Sequence, residues 1–308
     1  MRRLPILIAA VAVPILAHGQ TMGYYAGYPT YGAPNSVQFQ IQRGNLDLAD
    51  VDVEGDARFT AQGDSDTIGA AFTYFDDSGA DGERYDAHYE KAWRPFAGSR
   101  DRALLDVPVN LVVLPSSTTT SQSGTFTTPT GYAGTGSVNA GLEIPVAPNW
   151  SLTPRVAYGL ADSNAAIGAN SEILSGSVTS RYRFAQVGRG DLVLGDMVGY
   201  TTTVNSGIVS QPFYAAEHNW VLRNGVAYQW PLEQRLFGRQ SSVRLSYVNT
   251  EVLGDQVAYR DYHEFAVSVG VRTREAELKN KFELLRFGLM WTNSGSYNAA
   301  TVTAGYRF

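Results

Sequence analysis

The 308-residue chain has no cysteine and only four histidines. It can therefore form neither a disulfide nor a thiolate metal site. It has no block rich in lysine and arginine, so nucleic acid is not a predicted partner. Beyond its N-terminal segment, no stretch approaches the ~18 continuous apolar residues of a membrane helix. Nothing in the composition predicts a cofactor or a metal.

The N-terminus has the three-part layout of a secretory signal peptide. Arg2 and Arg3 precede an apolar run from Leu4 to Ala17, and Ala17-His18-Gly19 places small residues around a cleavage site. Residues 1–19 are therefore predicted to be removed after Gly19 during export.

Residues 20–63 form a second segment, rich in glycine and tyrosine at its start. Short alternating pieces follow within residues 36–63. We interpret the segment as a flexible leader that supplies either an extra hairpin or a plug for the domain that follows.

From residue 66 onward, apolar and polar residues alternate with a period of two in twelve segments. Most have close to the ~9–11 residues that a tilted membrane strand requires, whereas soluble strands usually have about five or six. The pattern predicts an all-β domain over residues 64–308: a closed antiparallel transmembrane β-barrel of twelve strands, or fourteen if residues 36–63 add a hairpin. The segments are 66–75, 84–93, 103–113, 132–144, 149–160, 172–184, 190–201, 219–230, 241–249, 261–272, 282–292 and 298–308.

The connections between these segments alternate between long polar loops and shorter turns, as in transmembrane barrels. Leu114–Gly131 and Thr202–His218 are examples of the long loops. Pro231–Gln240 lies on the short-turn side and has room for a short helix.

Aromatic residues are predicted to form a ring at each membrane interface. Trp220 and Trp230 share one strand face ten residues apart. At ~3.3 Å per residue and ~40° tilt, their vertical separation is about 25 Å, the height of a barrel's apolar band. The tryptophans assigned to the two rings are Trp93, Trp150, Trp220, Trp230 and Trp291.

The polar face of the alternating strands carries charges of both signs, which in a barrel would share a confined lumen. Asp196 is the exception, because it shares a face with Leu192 and Leu194, and the inward side of its strand is not assigned. The predicted lumen-lining residues are Asp106, Glu143, Arg155, Arg181, Arg183, Arg223, Arg244, Glu264, Arg272, Arg286 and Arg307.

One predicted strand carries three ionisable groups on a single face: Asp86, His88 and Glu90. Their spacing fits an acid–base or metal site. It also fits a cluster of lumen charges, which is the interpretation we favour.

The chain ends in a strand that alternates from Thr301 to an aromatic C-terminus, with Tyr306 and Phe308 on one face. This ending resembles the assembly signal of Gram-negative outer-membrane β-barrels, with Thr303 at the position where that signal usually has glycine. The resemblance implies an outer-membrane location in the cell envelope, with lipid and the barrel assembly machinery as partners. The predicted strand count is similar to that of autotransporter translocator barrels, but residues 20–63 are far too short for a passenger domain.

The sequence therefore predicts a channel for small polar solutes, porin-like, or a solitary autotransporter-like barrel. One alternative is an outer-membrane enzyme of the lipase or deacylase type, with Asp86, His88 and Glu90 as its candidates. Another is a structural or adhesive barrel that acts through its surface loops. A non-enzymatic role is favoured, and neither the solute nor the oligomeric state follows from the sequence.

Overall fold

The computed structural model describes residues 64–77, 80–114, 117–121, 124–128, 130–163, 171–204, 218–254, 260–272, 284–295 and 297–307. Within these ranges, no helix is long and apolar enough to cross a membrane. The strands are β1 (Ser65–Asp77), β2 (Ala80–Trp93), β3 (Arg102–Leu114), β4 (Ser117–Ser121), β5 (Gly124–Thr128), β6 (Gly131–Ala147), β7 (Trp150–Ser163), β8 (Ser171–Val187), β9 (Gly190–Val204), β10 (His218–Pro231), β11 (Ser241–Gly254), β12 (Asp261–Arg272), β13 (Leu284–Ser294) and β14 (Tyr297–Arg307).

Twelve of these strands form one closed barrel, in the order β1-β2-β3-β6-β7-β8-β9-β10-β11-β12-β13-β14 and back to β1. Every neighbouring pair is antiparallel, and each of the twelve predicted segments overlaps one barrel strand. The predicted fold class is confirmed with twelve strands. The barrel closes without residues 36–63, so the fourteen-strand alternative is wrong. The signal peptide, the leader and Phe308 lie outside the described residues.

The barrel closes where β1 pairs with β14, the first and last strands of the chain. The register places Thr73 opposite Thr301, and their buried hydroxyl oxygens are 2.9 Å apart. Above this pair, the rings of Phe75 and Tyr297 stack with centroids 5.8 Å apart, both facing the interior. Hydrogen bonds and interior packing thus join residues more than two hundred positions apart in sequence.

Short turns at one end of the barrel match the prediction in part. Pro148 and Asn149 connect β6 to β7, and Gly188, at φ 63°, begins the turn between β8 and β9. The prediction of a short helix within Pro231–Gln240 is wrong. That segment instead holds an isolated bridge between Leu236 and Arg239 around a turn with positive φ.

The loop between β3 and β6 contains structure that the sequence did not predict. β4 and β5 pair antiparallel as a separate two-stranded sheet, with Ser117 opposite Thr128. Their sequences consist mostly of serine, threonine and glycine, so they lack the apolar alternation that identified the barrel strands.

The outer wall of the barrel is apolar and ends in aromatic residues. Trp220 and Trp291 are 52% and 53% exposed. Near one end Trp220 packs against Tyr200 with ring centroids 5.0 Å apart, and near the other Trp230 packs against Tyr228 at 5.5 Å. Trp93 and Trp150 occupy outward positions by the same alternation, at the short-turn ends of β2 and β7.

The structure also assigns the two faces of β9, which the sequence left open. Val193 and Met197 are buried, whereas Leu194, Asp196 and Val198 are exposed. Asp196 therefore lies on the outer wall, between two aliphatic residues.

Candidate functional site in the barrel interior

Alternation in the strands turns the charged side chains away from the apolar outer wall and into the barrel interior. Arg244 and Arg286 are each only 1% exposed. The buried members of the predicted set are Asp106, Glu143, Arg181, Arg223, Arg244, Glu264 and Arg286, and the half-buried members are Arg155, Arg183, Arg272 and Arg307.

One group of interior side chains, here the acidic cluster, comprises His88, Glu90, Asp106, Asn139 and Arg155. The sheet register places Glu90, Asp106 and Asn139 side by side on β2, β3 and β6. The Asn139 amide donates to Asp106 Oδ2 at 2.7 Å. Arg155 on β7 reaches past β6 and β3 to pair with Glu90 on β2 at 3.2 Å.

The three residues predicted as catalytic candidates, Asp86, His88 and Glu90, have charged neighbours in the barrel interior. Asp86 accepts a hydrogen bond from Arg84 Nε at 2.7 Å, and Glu90 is held by Arg155. His88 and Asp106 are close enough to interact electrostatically. The three candidates thus lie on one interior face, with both carboxylates in ion pairs. A catalytic role for them stays a prediction.

A deeply buried ion pair spans three strands on the opposite side of the barrel. Arg223 Nη2 on β10 lies 2.8 Å from Glu264 Oε2 on β12, and each side chain is 4% exposed. Thr250, on the intervening strand β11, accepts a hydrogen bond from Arg223 Nε at 3.0 Å. The pair therefore crosslinks β10, β11 and β12 from the inside.

A second group, here the basic cluster, comprises Arg181, Arg183, Arg244 and Arg307. Arg181 on β8 interacts electrostatically with Arg244 on β11 and with Arg307 on β14. These three strands are not neighbours, since two other strands separate each consecutive pair. Guanidinium groups from distant parts of the wall therefore converge across the interior, and like charges meet at this level of the lumen.

Serine hydroxyls accept hydrogen bonds from several interior arginines. Arg102 and Arg307 both donate to Ser65 Oγ, at 2.9 and 3.3 Å, close to the barrel seam. Arg102 also pairs with Glu143 at 3.0 Å. On β13, Arg286 donates to the hydroxyl oxygens of two serines. Arg272 donates to Gln240 Oε1 at 2.8 Å, at the short-turn end.

Interior residues that were absent from the predicted set include Arg84, Arg102 and Asn139. Arg84 shares a strand face with Asp86, and Arg102 shares one with Asp106. The same alternation could have identified both. Alternation along β6 also identifies Asn139 as an interior residue, because Asn139 shares a strand face with Ser137 and Glu143.

No family model matches the sequence, and no curated protein matches it. Solved structures do share the fold. One is the translocator domain of autotransporter NalP from Neisseria meningitidis, with TM-score 0.62 and 10% identity over 91% of this chain and 98% of that one. The β domain of the Bordetella autotransporter BrkA gives 0.52 and 12%, over 80% and 99%. The transport unit of AIDA-I from Escherichia coli gives 0.52 and 9%, over 92% and 99%.

The fold is thus that of outer-membrane β-barrels, and three solved structures that share it are autotransporter translocator units. At these identities, the likeness establishes the architecture and leaves the role of the lumen to the residues themselves.

We expect Glu264→Gln to destabilise the barrel by about 3–5 kcal/mol, because it removes the carboxylate charge that pairs with the buried Arg223 guanidinium. Urea unfolding of the refolded protein in lipid vesicles measures this loss. Glu251→Gln is the control, since Glu251 lies exposed on the adjacent strand. Equal stabilities of the two variants would contradict a structural role for the pair.

Proposed function

We propose that this chain is an outer-membrane barrel that forms a narrow passive channel for small polar solutes and prefers anions. The observation that carries the proposal is the pairing of an apolar outer wall with an interior lined by the acidic and basic clusters. An apolar outside with a polar inside is the arrangement of a water-filled barrel in lipid.

The outer wall supports the membrane location. Soluble monomers rarely expose contiguous apolar patches larger than a few hundred Å². Here aliphatic and aromatic side chains are exposed around the whole barrel, for example Val156 on β7, Leu289 on β13 and Val302 on β14. Lipid is the solvent that this surface fits, and the aromatic residues at both ends fit the two interfaces.

The interior supports a narrow lumen. Twelve strands enclose more space than an eight-stranded barrel, which side chains fill, and less than a sixteen-stranded porin. Ion pairs such as Arg155–Glu90 and Arg223–Glu264 reach across intervening strands. Side chains that project this far leave room for small solutes only.

The basic cluster supports the preference for anions. Rings of charged side chains select ions of opposite sign in pores. Arg181, Arg244 and Arg307 come from three separated strands, and their guanidinium groups interact electrostatically inside the barrel. The acidic cluster lies on β2, β3 and β6, which places opposite charges on different parts of the wall.

Planar-bilayer recording tests this function. Refolded protein should produce discrete conductance steps, and in a KCl gradient the reversal potential should show preferred passage of chloride. Arg181→Gln and Arg244→Gln should shift the permeability ratio toward unity because each removes one positive charge from the lumen. Arg260→Gln is the control, because Arg260 is exposed outside the strands. Silence from protein that is folded, as judged by heat-dependent migration in SDS gels, would overturn the channel.

A second function is a solitary translocator-like barrel, which the fold shared with the three autotransporter units favours. Such a barrel would carry residues 20–63 through its lumen to the cell surface, whereas a simple channel does not need to export them.

A cysteine placed at Tyr28 distinguishes the two functions, because the chain has no native cysteine. The translocator function predicts that a membrane-impermeant maleimide labels this position on intact cells. The channel proposed here predicts labelling only after the outer membrane is permeabilised. A cysteine at Arg260 serves as the reference for a loop position.

A further inference from the structure

We propose that Asp196 and Asn224 form a self-association surface through which two copies of this chain pair wall to wall inside the membrane. In the pair, the Asn224 amide of each copy donates a hydrogen bond to the Asp196 carboxyl group of the other. This inference goes beyond the channel function and depends only on the barrel crossing a membrane.

Both residues lie within the apolar band of the outer wall. Asn224 is directly opposite Asp196 in the register of β10 and β9. Along β10 it is four residues from Trp220 and six from Trp230, on the same face. At ~3.3 Å per residue and ~40° tilt, Asn224 lies about 10 Å along the membrane normal from the level of Trp220, within an apolar band about 25 Å high. Asp196 lies at a similar depth.

At this depth the described part of the barrel offers the two side chains no hydrogen-bond partner. Among the residues that the structure describes, no side chain is hydrogen-bonded to the Asp196 carboxyl group or to the Asn224 amide. Ser180, on the other side of Asp196, is instead bonded by the indole Nε1 of Trp150 at 3.0 Å. Lipid tails offer no hydrogen bonds, and polar groups exposed to them are costly.

Asp196 and Asn224 belong to a row of residues that pair from strand to strand in the sheet register. The other members of this row have hydrogen bonds within the chain. From Asn224 the row passes to Asn249, His263, Asn293 and Asn298 on β11 to β14. These residues are bonded within the chain: Asn293 donates to Asn298 at 2.7 Å, and the Tyr247 hydroxyl is 2.9 Å from His263 Nδ1. Within the described residues of this row, the polar side chains without an internal hydrogen bond are Asp196 and Asn224, which lie toward the middle of the band.

The chemistry of the two residues fits a second copy of this chain. Two barrels inserted in one membrane share an orientation, so a two-fold axis between them runs along the membrane normal. That axis exchanges left and right, and it brings Asn224 of each copy opposite Asp196 of the other. The amide can donate to the carboxyl group whether the latter is ionised or protonated. Lipid headgroups do not reach this depth, so they cannot provide the missing partners.

Crosslinking through a single introduced cysteine tests the surface, since the native chain has none. Leu222 is the outward residue next to Asn224 on β10, and Leu289 lies on the distant strand β13. In vesicles at high lipid excess, a short bismaleimide should join Leu222→Cys into dimers and leave Leu289→Cys monomeric. Monomers at every protein density, or equal crosslinking of both variants, would overturn the proposal.

Substitutions at Asp196 test the hydrogen bonds themselves. Asp196→Leu in the Leu222→Cys background should weaken dimerisation roughly tenfold, because it removes both hydrogen bonds between the two copies within the lipid. Asp196→Asn should retain it, because an amide still accepts and donates. Unchanged dimerisation of the leucine variant would overturn the proposal. Since Asp196 faces away from the lumen, channel conductance should be the same in all three proteins, so failure of the channel function would be seen separately.

Discussion

The structure depends on one constraint: every backbone amide in the wall needs a partner where lipid supplies none. A sheet with two free edges cannot meet that constraint, but a closed barrel can. Closure rests on β1 and β14, whose register runs continuously from Thr67 opposite Arg307 to Asp77 opposite Tyr297. The buried Thr73–Thr301 contact and the stacked rings of Phe75 and Tyr297 hold this seam from the interior. Closure also separates the two faces, because it leaves one side of every strand in lipid and the other in the lumen.

From that separation follow the properties of the interior. Alternate residues that would be solvated on a soluble sheet are confined together, so the charges interact with one another, both as opposite and as like charges. Arg223 and Glu264 show the first outcome, since they are almost fully buried and form a direct ion pair. The basic cluster shows that like charges also meet, since the guanidinium groups of Arg181, Arg244 and Arg307 interact electrostatically inside the barrel. A fixed positive field in a confined aqueous space is a property that a channel can use for selectivity.

Strand number and strand position could be predicted from sequence because they depend on local alternation and on segment length. Partner identities could not, because they depend on the register and tilt of strands that are far apart in the chain. Alternation placed Arg155 and Glu90 on the interior face, for instance, but their pairing across β3 and β6 arises only from the closed geometry. The β4–β5 hairpin was missed because a serine- and threonine-rich segment has no apolar face.

Asp196 illustrates a different reason for failure. Apolar residues on both sides of it obscured the alternation, since polarity alone normally identifies the lumen face of a strand. A carboxyl group on the lipid face contradicts that rule, and such departures tend to mark functional positions. Here the departure coincides with Asn224 on the neighbouring strand, and the two together provide a donor and an acceptor. The outer wall therefore holds a specific polar feature of its own, separate from the charged residues of the lumen.

Disulfide trapping across the seam tests the closed barrel most directly. Ala70 and Ala304 are register partners on β1 and β14 and face outward, and cross-strand partners lie within the Cα separation that a disulfide spans. Oxidation of refolded protein with cysteines at both positions should crosslink nearly every chain internally. A variant with cysteines at Ala70 and Leu289, which are not partners, should stay reduced. If the seam pair failed to crosslink in folded protein, β1 and β14 would be free edges and the closed barrel would be contradicted.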